Sequence, residues 1–159
     1  MKKGFTLVEL MVVIAIIALL TGIILVNLTG SKAKGRDAKR VSDLAQIQLA
    51  IEQYFDRCNQ YPTALDTSKT DGCPTSPTAI SLGSFISKIP TDPSTNASYD
   101  YMINSASAPT NYLMHTTLET SNSASQQSAP LPSLTGWSVG SGNTIATCDT
   151  SLNYCARPN

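Results

Sequence analysis

The chain has 159 residues, with 11 lysines and arginines against 11 aspartates and glutamates, a single histidine and four cysteines. That length gives room for one membrane helix and one small soluble domain. Zero formal net charge gives no electrostatic case for a nucleic-acid partner, and none is expected.

The chain opens Met1-Lys2-Lys3-Gly4-Phe5-Thr6-Leu7-Val8-Glu9-Leu10, and an apolar stretch runs from Leu7 to Val26, broken only by Glu9 and the mild Thr21-Gly22 pair. About 20 residues at 1.5 Å each span about 30 Å, the thickness of a bilayer's hydrocarbon. A carboxylate inside hydrocarbon costs roughly 2.5–3.5 kcal/mol at the centre of a helix and less near the interface, so Glu9 needs a positive partner. Cutting the chain after Gly4 would create one: the new amino group on Phe5 lies four residues before Glu9, on the same helix face. A secretory signal peptide would show a shorter apolar core and a small-x-small cleavage site, and no such site follows here. A plain signal anchor accounts for the length and leaves Gly4 and Glu9 unexplained.

Gly4-Phe5-Thr6-Leu7-Val8-Glu9 followed by an apolar helix resembles the N-terminal signature of type IV pilins and of their relatives, the pseudopilins of type II secretion and DNA-uptake machines. The resemblance implies a membrane peptidase and methyltransferase that cuts after Gly4 and methylates Phe5. It also implies that Glu9 helps to register subunits in a helical filament. The expected organisation is a leader over 1–4, a transmembrane and assembly helix over 5–28, an amphipathic stem over 29–57 and a globular head over 58–159. Lys32, Lys34, Arg36, Lys39 and Arg40 outnumber Lys2 and Lys3, so simple Lys/Arg counting argues against a cytoplasmic N-terminus. The cysteines, which favour an oxidising compartment for the head, and the resemblance argue the other way. The expectation is therefore an inner-membrane protein with its head outside the cytoplasm, and then an extracytoplasmic filament.

Past the apolar run, Val41, Leu44, Ile47, Ile51, Tyr54, Phe55 and Cys58 recur at three- and four-residue steps, while Asp43, Gln46, Gln53 and Arg57 fall largely elsewhere. This predicts one helix from about Phe5 to Arg57, softened at Gly22, Gly30 or Gly35. A turn at Asn59-Gln60-Tyr61-Pro62 and a polar loop to Pro77 follow, then a short helix or turn within Thr78–Ile89. Residues Ser98–Ile103 and Tyr112–Leu118 read as antiparallel strands, Glu119–Ser133 as an exposed Ser/Gln/Pro-rich loop, Trp137–Val139 as a third strand and Thr144–Thr147 as a fourth. The predicted fold is α+β: a long N-terminal helix, transmembrane in its first half, packed on a small antiparallel sheet as in pilins. Ile89-Pro90-Thr91-Asp92-Pro93 followed by Tyr99-Asp100-Tyr101, together with Asp37–Arg40, Tyr54 and Tyr61-Pro62, is similar to the major pseudopilins of type II secretion. The polar 119–133 segment and the four cysteines depart from that pattern and leave a true type IV pilin open.

Cys58, Cys73, Cys148 and Cys155 allow three disulfide pairings, and their gaps do not suit a tight zinc site. The preferred pairing joins nearest neighbours, Cys58–Cys73 and Cys148–Cys155, against free thiols buried as small hydrophobes. The resemblance also implies calcium in a C-terminal loop, for which Asp149, Ser151 and Asn153 are weak donors; no other cofactor is expected. Gly136-Trp137-Ser138-Val139-Gly140 matches the G-x-S-x-G pattern, yet His115 precedes Ser138 and a Gly-rich turn follows, so catalysis is not expected. The reading is a structural subunit of a pilus-like filament, foremost a type II secretion major pseudopilin. Its partners would be further copies of itself, the prepilin peptidase, an inner-membrane assembly platform and membrane lipid. The alternatives are a type IV pilin used in adhesion, motility or DNA uptake, and a plain anchored binding domain.

Overall fold

The structure is a computed structural model that describes residues 4–71, 73, 79–121, 134–145, 148 and 152–158, the side chains of 23–28 excepted. Helix α1 spans Leu7–Cys58 and runs through Gly22, Gly30 and Gly35. The chain divides into two compact units at Gly35/Arg36.

In the first unit the described apolar side chains are exposed: Phe5 is 89% exposed, and Leu10, Ile14, Ile17 and Leu19 are also exposed. Among the described residues no helix is long and apolar enough to cross a membrane, so the structure does not support the expected transmembrane first half.

In the second unit the amphipathic half of α1 buries Leu44, Ile47, Ala50, Ile51 and Tyr54. Asn59 ends the helix in a left-handed conformation (φ 54°), its N–H donating to the Phe55 carbonyl at 2.8 Å. Asparagine tolerates that conformation where most side chains do not. A short 3-10 turn, Leu82–Ser84, plants buried Leu82 in the core. Four antiparallel strands follow, β1 (Asp100–Ile103), β2 (Tyr112–Thr117), β3 (Ser138–Ser141) and β4 (Asn153–Ala156), in the order β3-β1-β2-β4. Asp100 lies opposite His115 across β1 and β2, and His115 opposite Cys155 across β2 and β4.

Strand alternation sorts the side chains into two cores. Tyr101, Ile103, Tyr112 and Met114 pack in the cluster that holds the stem's Leu44, Ile47, Ile51 and Tyr54. Met102 and Leu113, one residue out of phase, join Ile145, Cys148 and the half-buried Trp137 in a second cluster. Gly140 is forced by packing: a side chain there would meet the Thr63 carbonyl at 2.5 Å and the Tyr101 ring at 2.7 Å.

The fourth strand differs from expectation. Thr144 and Ile145 lie outside any strand, and 146–147 are outside the described residues. Strand β4 comes instead from the segment expected to be the last cysteine loop, because Cys155 tied to Cys148 can lie along β2. The expected loop 119–133 lies outside the described residues from 122 onward, and its first residues, Glu119 and Thr120, are pinned to the stem.

Candidate functional site

Two groups of polar side chains stand out among the described residues. The first is the N-terminal turn. Gly4 has open space around it, and Phe5 is almost fully exposed. Thr6 precedes the first helical residue, and its N–H and hydroxyl both donate to Glu9 Oε2, at 2.9 and 2.7 Å. The Glu9 N–H returns a bond to the Thr6 hydroxyl at 3.3 Å. This reciprocal pair is a capping box, which satisfies amide donors that would otherwise be orphaned at a helix start. Glu9 thus holds its carboxylate at the helix end, one turn from Phe5. The signal for Thr6 in the sequence is T-x-x-E before an apolar run, a pattern easily overlooked beside the Gly-Phe pair.

The second group is a buried charge cluster in the head. Asp37 and Arg40, three residues apart on α1, are 0% and 3% exposed, and Arg40 Nη1 donates to Asp37 Oδ1 at 2.8 Å. Arg40 also reaches Asp92 (Nε to Oδ2, 2.6 Å), Ser94 (2.9 Å) and Glu119 (2.9 Å). Asp37 in turn accepts the N–H groups of Glu119 and Thr120, both at 2.8 Å, and the Thr120 hydroxyl at 2.7 Å. Arg36 closes the cluster by a two-point pairing with Glu119. Beside it, Asp43 accepts from the Tyr99 hydroxyl at 2.9 Å and from Lys39 at 3.2 Å.

These contacts set the ionisation of the cluster. Bonding to Arg36 foremost, against some desolvation, and then to Arg40 and Ser94 holds the Glu119 carboxyl down at about 2. Desolvation would raise Asp92 and Asp37. It is outweighed at Asp92 by Arg40 and two backbone amides, and at Asp37 by Thr120, the amides of Glu119 and Thr120, and Arg40, so both stay ionised below the usual carboxylate range. Burial first, then the bond to Asp43, pushes the Tyr99 hydroxyl up, so it remains a donor. In sequence Asp37–Arg40 and Asp92 stand apart with nothing to pair them, and helical spacing sets Asp43 off the apolar stripe, although it is buried against Tyr99.

The cysteines are joined Cys58–Cys73 and Cys148–Cys155. The first disulfide ties the end of the stem to the following loop; the second anchors β4. Of the suggested calcium donors, Asp149 and Ser151 lie outside the described residues, and Asn153 Oδ1 is 3.1 Å from His115 Nε2. Among the described residues no three carboxylate, histidine or cysteine groups converge to hold a metal ion. Ser138 begins edge strand β3 rather than a strand–turn–helix, and His115 is engaged by Asp100 at 2.9 Å, so the G-x-S-x-G match is not a nucleophile elbow.

A long N-terminal helix packed on a four-stranded antiparallel sheet, with a Gly-Phe pair before it and an acid in its first turn, is the architecture of pilin-like subunits. Residues 1–25 match the family described as the prokaryotic N-terminal methylation motif. Over 97 residues, 58% of this chain and 67% of the relative, the chain is 37% identical to the type II secretion system core protein G of Aeromonas hydrophila. It is 33% identical to the proteins of the same name from Vibrio cholerae and Escherichia coli, covering 70% and 71% of their lengths. The chain belongs to this family, the major pseudopilins, which are structural subunits. No solved structure matches it significantly.

Proposed function

We propose that this chain is the repeating subunit of a type II secretion pseudopilus, matured by cutting between Gly4 and Phe5 and by N-methylation of Phe5. It has no catalytic role of its own. Before assembly it is held in the inner membrane by its apolar N-terminal helix, with the head outside the cytoplasm. An assembly platform then draws it into a filament, where neighbouring helices replace lipid around residues 5–28. The observation that carries this reading is Glu9 held one turn from Phe5 at the start of an uncovered apolar helix, within a matched methylation motif. The Phe5 amine freed by cleavage and the Glu9 carboxylate of a neighbour would form an ion pair, and in an apolar setting removing one partner of such a pair costs about 3–5 kcal/mol.

The test compares wild type, Gly4→Val and Glu9→Leu in cells carrying the secretion machine. Gly4→Val should accumulate as an uncut precursor in membranes. Glu9→Leu should be cut and methylated, as read by mass spectrometry of Phe5, yet be depleted at least tenfold from sheared filaments. Wild-type filament yield from Glu9→Leu, or an intact Met1 in assembled material, would overturn the reading.

A further inference from the structure

Five cations follow the apolar run within nine residues, Lys32, Lys34, Arg36, Lys39 and Arg40. The folded head engages three of them: Arg36 with Glu119, Lys39 with Asp43, and Arg40 with Asp37, Asp92 and Glu119. Lys32 and Lys34 are exposed and have no ion pair among the described residues. Both lie in the first unit, on the helix that carries the apolar run, before the boundary at Gly35. On a helix two residues apart they point to opposite sides, about 200° around the axis. Two cations so placed do not form a face for a protein partner, which would meet one and miss the other. They suit a partner that surrounds the helix.

We propose that Lys32 and Lys34 form a collar that binds the phosphate groups of anionic phospholipids around the helix and sets the depth at which the waiting subunit is held. This rests on the membrane-stored state proposed above. Lys32 lies about 9 Å along the helix from Val26, the end of the apolar stretch, and Lys34 about 12 Å. Those are headgroup depths, and a flexible lysine stem can lean back toward the interface. A lysine near an anionic bilayer surface strengthens binding by roughly fivefold, an effect that salt screens. The lysines that anchor the stored subunit would also have to leave the headgroups when it is extracted, so they would oppose release into the filament. Arg36, Lys39 and Arg40 contribute little to the collar because carboxylates of the head already neutralise them.

The experiment is equilibrium partitioning of the full chain, diluted from detergent into vesicles of phosphatidylcholine alone or of equal parts phosphatidylcholine and phosphatidylglycerol. Lys2 and Lys3 are common to every variant, so the comparison isolates the collar. At low salt, Lys32→Gln/Lys34→Gln should lose more than tenfold of the wild type's preference for the anionic vesicles, and high salt should erase the difference. Lys39→Gln, whose lysine is held by Asp43, should partition like wild type. Equal preference in wild type and the double variant would overturn the collar while leaving membrane storage standing. Failure of the wild type to enter either vesicle would overturn both.

Discussion

Arg40 shows how one residue organises the head. Its guanidinium answers Asp37, Asp92 and Glu119 at once while only 3% of the residue is exposed. A planar fork with five donors suits that task, where lysine's single ammonium would not. Replacing Arg40 by leucine would keep the packing stem but leave three carboxylates without their shared partner. Stranding buried charge in this way costs about 3–5 kcal/mol. Urea unfolding of full-length Arg40→Leu in detergent should show that loss. Lys39→Leu, which removes an exposed lysine and leaves buried Asp43 still bonded to the Tyr99 hydroxyl, should stay within about 1 kcal/mol of wild type. Equal losses for the two variants would mean that the cluster adds nothing beyond surface charge.

At the scale of elements, the cluster fastens three segments that are far apart in sequence. The stem supplies Arg36, Asp37 and Arg40, the tight turn after Pro90 supplies Asp92 and Ser94, and the end of β2 runs into Glu119 and Thr120. Its stability must depend on acid. Glu119 is held at about 2 against an ordinary 4.5, and Asp37 and Asp92 are also depressed, so each binds a proton more weakly in the folded head than in the unfolded chain. The stabilisation is therefore complete above about pH 4.5 and is lost as pH falls toward 2. Thermal unfolding of the wild type should weaken steadily across that window, and Glu119→Gln should weaken less because it no longer carries the titrating group. Parallel acid profiles for the two proteins would remove Glu119 from the account.

For the whole molecule, the two disulfides divide the work of holding a small head together. Cys58 and Cys73 are both at most 5% exposed, whereas Cys155 is only half-buried on edge strand β4. In the chain-entropy model a separation of 15 residues is worth about 3 kcal/mol and one of 7 about 2.5. Thiol exchange needs access to a sulfur, so exposure rather than loop length sets the order of reduction. Mild dithiothreitol followed by alkylation and peptide mapping should label Cys148 and Cys155 first, with Cys58 and Cys73 reacting only as the head unfolds. Simultaneous labelling of all four would show that β4 and the stem open together.

Local pattern by itself determined the N-terminal motif, the long helix, the buried stripe Leu44–Ile47–Ile51–Tyr54 and the strands β1 and β2. Each is written in neighbouring residues: a glycine before an apolar run, a 3.6-residue period, a two-residue alternation. Only the tertiary structure decided that Asp37 and Arg40 turn inward, because burying them requires Asp92 and Glu119, which lie 52 or more residues away in the chain. The same holds for β4. Asn153–Ala156 has little strand pattern of its own and becomes a strand because β2 offers an unpaired edge and Cys148 holds Cys155 beside it. Which of the five cations after the apolar run remain free was also a tertiary matter, since a charge count cannot see the carboxylates that folding brings to Arg36, Lys39 and Arg40.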